Sequence, residues 1–197
     1  FANPSSLSSV GLSALPSTEE ETRFIEMASG SRNGSFTGKK ATIENVNKIS
    51  QGSYERIHFG THAVPPYWNN ITSESSLVLN SSDGDFLLSA SEISSLEIES
   101  DMVILSSCNS SSNGFDQLYK AFLVAGSNSV VFSNWDLETS SSKELNKQLF
   151  SLLWDDENLE NHEALRLAML KMKNSYNDTN FISPSYWANF SIAYSSL

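Results

Sequence analysis

The sequence predicts an α/β domain in which helices cover both faces of a mostly parallel central sheet, making a three-layer sandwich. Three observations carry this reading. Runs such as Met102-Val103-Ile104-Leu105 and Val130-Val131-Phe132 are apolar at consecutive positions, as strands buried on both faces are. Segments with helical spacing alternate with those runs. His62 and Cys108 each close an apolar run, and parallel sheets bind ligands beyond the carboxyl ends of their strands.

The elements follow in order. Phe1 to about Pro16 is rich in Ser, Pro and Gly and reads as loop. Ser17 and Glu20 form a capping-box pattern ahead of Phe24, Ile25 and Met27, which predicts a helix over Thr18–Ala28. Ser35-Phe36-Thr37 reads as a short strand, and Ala41–Ile49 as a helix with Ile43, Val46 and Ile49 on one face. A strand then ends at His62. Pro65 and Pro66 remove two amide donors, so the stretch around them is irregular. Ser76–Leu79 and Phe86–Leu88, split by Asp83-Gly84-Asp85, predict a hairpin. A short helix over Ser91–Leu96 leads to the strand ending at Cys108. Ser110–Gly114 is a loop, and Phe115–Ala125 a helix ended by Gly126. Ser129–Ser133 is a strand, Ser142–Trp154 and His162–Lys173 are helices, and Trp187–Tyr194 is strand-like.

Composition sets the bounds. A chain of 197 residues with 39% hydrophobic and 11% aromatic residues fits one folded domain with a sizeable core. A single cysteine cannot form an internal disulfide, which favours a reducing, cytoplasmic setting. No apolar stretch approaches bilayer length and no signal-peptide pattern is present, so no membrane role is expected. The start at Phe1 rather than methionine leads to the expectation of a piece, the C-terminal part, of a longer protein. The net charge of −11, from 23 acidic and 12 basic residues, argues against nucleic acid and allows steering of basic peptides. Glu19-Glu20-Glu21 and Asp155-Asp156-Glu157 read as solvated helix-end acids.

A lone thiol and an imidazole, each past a buried-type strand, fit a nucleophile and its base. The blander reading is a packed thiol, since free cysteine is often simply buried. His58 is a nominal rival base on the same strand face as His62, and reads better as a satisfied strand histidine. His162 falls in the first turn of a helix and reads as exposed. Three scattered histidines and one cysteine offer no metal-ligand cluster, and no phosphate-binding glycine loop is present, so no cofactor is expected. Tyr67, Trp68, Trp135, Tyr186 and Trp187 either line a cleft or pack the core. Leu165, Ala168, Met169 and Met172 form a helical core stripe.

Several segments together resemble one family. Phe1–Pro4 and Leu15–Glu20 look like its opening. Ile57-His58-Phe59-Gly60-Thr61-His62-Ala63 resembles its histidine motif, His-Phe-Ala-Thr-His-Gly. Leu87–Ile93 and Val103–Ser110 resemble its run into the nucleophile. Gly114, Ala121–Gly126, Val130–Trp135 and Pro184–Phe190 follow in order, the last as its final strand. The chain resembles the CHAT domain family of caspase- and separase-like (clan CD) cysteine peptidases over almost its whole length.

The resemblance implies a caspase-like sandwich and a cysteine endopeptidase acting on a protein or peptide substrate. It makes His62 the base, Cys108 the nucleophile, and the backbone amides of Ala63 and Cys108 the oxyanion donors. It also implies gating by a regulatory partner or an upstream helical-repeat region. Two departures stand out. Alanine at position 63 replaces the usual glycine, and costs about 1 kcal/mol if that site needs a positive φ. After Trp135, which would border the substrate, Asp136 or Glu138 is left to bind a basic P1 side chain, with Thr139 where a second acid is common. The sequence shows no third triad member. A different-class reading, favoured by Ala63, is a non-catalytic interaction module; a third is a flavodoxin-like domain with an incidental thiol.

Overall fold

Consecutive apolar side chains on a strand point to opposite faces, and the computed structural model of the chain shows both faces covered. It describes residues 1–5, 7, 11–29, 34–82, 84–106, 116–135, 139–175 and 183–196. Four strands form the main sheet among these: β1 (Ser53–Phe59), β5 (Glu99–Leu105), β6 (Ser127–Ser133) and β7 (Phe190–Tyr194), in spatial order β1-β5-β6-β7. The first three are parallel, in the register Phe59↔Leu105 and Ile104↔Val131, and β7 runs antiparallel to β6. The sheet is therefore mostly parallel, as expected.

One face of the sheet presents Ile57, Phe59, Val103, Leu105 and Val130. These pack with side chains of α2 (Ile43–Ile49), α3 (Ala90–Ser94) and α4 (Asp116–Val124), among them Val46, Ile93 and Phe122. The other face presents Met102, Ile104 and Val131 to α5 (Thr139–Asp155) and α6 (Asn161–Lys173). Helix α1 (Pro16–Ser29) packs against α5, so it belongs to the same layer. Leu165, Ala168 and Met172 are buried in this second core, as their spacing predicts.

A smaller antiparallel sheet joins β2 (Ala63–Val64), β3 (Ser76–Val78) and β4 (Leu87–Ser89). The predicted hairpin is there, paired Ser76↔Ser89 and Val78↔Leu87. Helix α3 carries a full capping box between Ser89 and Glu92. Gly126 ends α4 with φ 113°, and a Cβ there would lie 2.9 Å from the Ile98 carbonyl oxygen, so glycine is required.

Four expectations need correction. Ser35–Thr37 is not a strand; Thr37 makes one parallel bridge with Ala2. The strand expected to reach His62 stops at Phe59, because the Thr61 hydroxyl donates to the Val78 carbonyl and turns the chain into β2. The strand expected to reach Cys108 stops at Leu105, and Cys108 lies outside the described residues. Pro184–Trp187 forms a one-turn helix, α7, rather than the start of the final strand. Proline suits the first turn of a helix and has no amide for a strand ladder. The predicted loop Ser110–Gly114 and the first residue of the Phe115 helix also lie outside the described residues.

Glu44 ties α2 to the β3–β4 connection. Its Oε1 accepts from the Ser82 hydroxyl (2.6 Å) and the Ser82 amide (2.8 Å). These bonds favour the ionised form and lower its pKa from 4.5 to about 2. A carboxyl with a depressed folded-state pKa adds stability above its unfolded value, and loses it as pH falls toward the folded value. Glu44→Gln is accordingly expected to flatten the stability profile between about pH 5 and pH 2. Urea midpoints measured across that interval check this, and parallel wild-type and variant profiles would count against it.

Candidate active site

The parallel register places three chain segments at one edge of the main sheet. Phe59 and Leu105 are paired at the carboxyl ends of β1 and β5, and the Ser106 amide donates to the Phe59 carbonyl (2.9 Å). His62 follows the first end by three residues, and Cys108 follows the second by three. Beyond β6, Trp135 leads into Asp136 and Glu138. Asp136 and Glu138 lie outside the described residues, as Cys108 does.

His62 is half-buried, and its Nε2 lies 2.9 Å from the Ser13 carbonyl oxygen. A carbonyl only accepts, so Nε2 carries the hydrogen in this bond. In the neutral ring Nδ1 is then the nitrogen with the open lone pair. The Ser13 carbonyl thus orients the ring and selects its tautomer. The sequence gives no sign of this bond, because a backbone carbonyl has no residue signature.

The Val78 amide donates to the His62 carbonyl (2.9 Å), and Ala63 pairs with Leu77. Bonded and non-bonded pairs alternate along an antiparallel ladder. The bonded pair is at His62/Val78, so the Ala63 N–H points away from β3. Ala63 is also absent from the non-glycine residues of positive φ, which are Asn3, Tyr67, Asn69 and Asn70. The alanine after the histidine is unstrained, and the condition under which it would cost stability is not met.

His58 is turned to the opposite face from Ile57 and Phe59, under α1 and α5. Its Nε2 lies 2.8 Å from Ser106 Oγ and 3.4 Å from Glu21 Oε2, and its ring meets the Phe150 ring edge-on. It is 9% exposed, a satisfied strand histidine as expected. Glu21 corrects another expectation. It is 3% exposed rather than solvated, because Thr18, Glu21 and Thr22 form the buried stripe of α1. Asp155, Asp156 and Glu157 are exposed, as read from sequence.

The main chain of Trp135 is clamped by Asn189, which is fully buried. Asn189 Oδ1 accepts from the amides of Asn134 (3.0 Å) and Trp135 (2.9 Å), and its Nδ2 donates to the Trp135 carbonyl (3.0 Å). The Trp135 indole stays 41% exposed, with Nε1 donating to the Ser185 carbonyl. Of the other candidate aromatics, Tyr67 is exposed, Trp68 meets Phe86, and Tyr186 and Trp187 pack on the α5/α6 core. His162 is exposed beside Tyr194. No group of three or more potential metal ligands occurs among the described residues. No helix among them is long and apolar enough to cross a membrane.

A family model described as CHAT domain matches residues 1–195. The chain belongs to the CHAT domain family. No curated protein matches it at a significant level. Solved structures show the same fold. The complex of Porphyromonas gingivalis RgpB pro- and mature domains superposes with a TM-score of 0.56 at 11% identity, covering 94% of this chain and 43% of that one. The Arg-specific cysteine proteinase gingipain R (RgpB) gives 0.57 at 12% identity, covering 95% and 43%. The CHAT chain therefore spans less than half the length of these relatives, and shares with them the caspase-like layering.

The histidine motif of this CHAT domain has glycine at 60 and alanine at 63, the reverse of the usual order. Packing explains the first. A Cβ on Gly60 would lie 2.7 Å from Thr18 Cβ and 3.2 Å from His58 Cε1, so α1 sits too close for a side chain. Gly60→Ala is expected to cost about 1–3 kcal/mol by overpacking. Ala63→Gly should not stabilise, since no positive φ is relieved, and about 0.5–1 kcal/mol should be lost to chain entropy. Chemical denaturation of both variants tests this; a stabilising Ala63→Gly would show that the alanine is strained.

Proposed function

We propose that this CHAT domain, one domain over residues 1–197, is a cysteine endopeptidase that cleaves peptide bonds with a His62–Cys108 dyad. The observation that carries the proposal is the His62–Ser13 hydrogen bond at the carboxyl edge of the sheet. It leaves Nδ1 of the neutral ring as the acceptor, the form a general base requires. A thiol near its reference pKa is only a few per cent thiolate at neutral pH, so an adjacent base is needed to activate it.

In the reaction, His62 takes the Cys108 proton and the thiolate sulfur attacks the peptide carbonyl carbon. The carbonyl electrons move onto oxygen, and the amides of Ala63 and Cys108 stabilise that oxyanion. The C–N bond then breaks, and the amine leaves with the proton held by His62. Water, deprotonated by His62, hydrolyses the resulting thioester and restores the thiol. The outward direction of the Ala63 N–H and its unstrained backbone support this role. The unstrained backbone at Ala63 also supports the peptidase reading over a non-catalytic interaction module.

The substrate proposed is an extended peptide along the sheet edge, bordered by Trp135. Asp136 or Glu138 would receive an Arg or Lys side chain at P1. Support comes from the net charge of −11 and from the shared fold with an Arg-specific cysteine proteinase. The lone cysteine fits a reducing, cytoplasmic setting. Control by a partner or an upstream helical-repeat region completes the proposal. The complex of pro- and mature domains in a structural relative supports that control by analogy alone.

A mixed-P1 fluorogenic peptide library tests the proposal. Cleavage after Arg or Lys is expected, with Cys108→Ala and His62→Ala each lowering kcat/KM by about 10³-fold or more. Cleavage that survives Cys108→Ala would refute the dyad.

A further inference from the structure

A polar cluster lies inside the α1/α5 layer, directly under the end of β5. Four elements contribute to it: Glu21 from α1, His58 from β1, Asn146 from α5, and Ser106 just past β5. Asn146 Nδ2 donates to Ser106 Oγ (2.7 Å) and to Glu21 Oε2 (2.9 Å). His58 Nε2 shares the same Ser106 hydroxyl at 2.8 Å. The side chains of Glu21 and His58 are 1% and 7% exposed.

Stability alone does not explain the cluster. Glu21 Oε1 and Asn146 Oδ1 are buried and meet no partner among the described residues, a costly arrangement for polar atoms. Apolar residues of similar volume at such a pair are often as stable or more so. What the cluster does accomplish is local. Two donors or partners converge on one hydroxyl, that of Ser106, whose own amide is bound to the Phe59 carbonyl. Both sides of Ser106 are thereby fixed, two residues before Cys108 and one residue after the Phe59–Leu105 pair that closes the β1–β5 register.

We propose that Glu21, His58 and Asn146 form a positioning cluster, which holds Ser106 and acts through it on the reactivity of the Cys108 thiol. This rests on the reading of Cys108 as the nucleophile and His62 as its base. The cluster residues are positioning residues, not catalytic ones. Their effect passes through Ser106 and the backbone that follows it. A displacement of about 1 Å in a reacting group is enough to cost on the order of 100-fold in rate.

Cys108 is the only thiol in the chain, so its alkylation by iodoacetamide, followed by intact mass, reads one site without needing peptidase turnover. The central variant is Glu21→Leu with His58→Phe, which removes both ionisable groups at once and leaves no orphaned charge. Its thermal midpoint is expected to match or exceed that of the wild type. Its alkylation rate is expected to fall by about 10-fold or more, and kcat on a cleaved peptide to fall likewise with KM unchanged. Ser106→Ala should reproduce the loss, and Ser106→Thr, which keeps the hydroxyl, should restore most of it. These single variants serve if the double variant does not fold. A folded double variant, or Ser106→Ala, that alkylates at the wild-type rate overturns the proposal. His62→Ala separates the positioning role from the dyad. If it slows alkylation while the cluster variants do not, only the positioning role fails. If it leaves the rate unchanged, the dyad reading fails and the positioning role with it.

Discussion

The parallel pairing of β1 with β5 is the constraint on which the rest depends. β5 is buried on both faces, and a one-residue slip would exchange Met102 and Ile104 with Val103 and Leu105 between two cores of different shape. That register sets Phe59 level with Leu105 and fixes where each strand ends. The two residues of the proposed dyad follow those ends by three positions each in the sequence, so a packing requirement of the core bears directly on the proposed site.

Polar groups then refine what the apolar sandwich sets coarsely. Thr61 turns the chain into β2, and the Val78–His62 bond fixes which way the Ala63 amide points. The Ser13 carbonyl orients the imidazole, and Asn189 clamps the exit of β6. The bonds to Val78 tie the segment after β1 to β3, while the Ser13 and Asn189 bonds join connecting segments to one another. Loops held in this way carry chemistry with less conformational freedom than their sequence composition implies. A cavity lined by Gly52, Ser53, Glu97, Glu99 and Gly126 opens at the opposite end of β1 and β5, away from these groups.

The reversed glycine and alanine of the histidine motif show how one family pattern accommodates local packing. Glycine at 60 admits a close approach by α1, which brings Thr18 and Glu21 onto the sheet face beside His58. Alanine at 63 is tolerated because β2 is extended there. The same close approach makes room for a buried polar stripe on α1, where the sandwich would otherwise place apolar side chains.

Much of the fold was legible from the chain alone. Continuous apolar runs marked β5 and β6, and helical spacing marked α4, α5 and α6, although β1 and β5 end at Phe59 and Leu105, three residues before the expected ends at His62 and Cys108. Those signals survive because burial of apolar area dominates folding and leaves a period in the sequence. Other features left no such period. Glu21 looked like a solvated acid because the inner stripe of α1 is polar, and only its neighbours on β1 and α5 make it buried. The direction of β7, the Ser13 carbonyl and the Asn189 clamp depend on groups far apart in the chain. Backbone polar atoms are the same in every residue, so their partners are decided when the layers assemble.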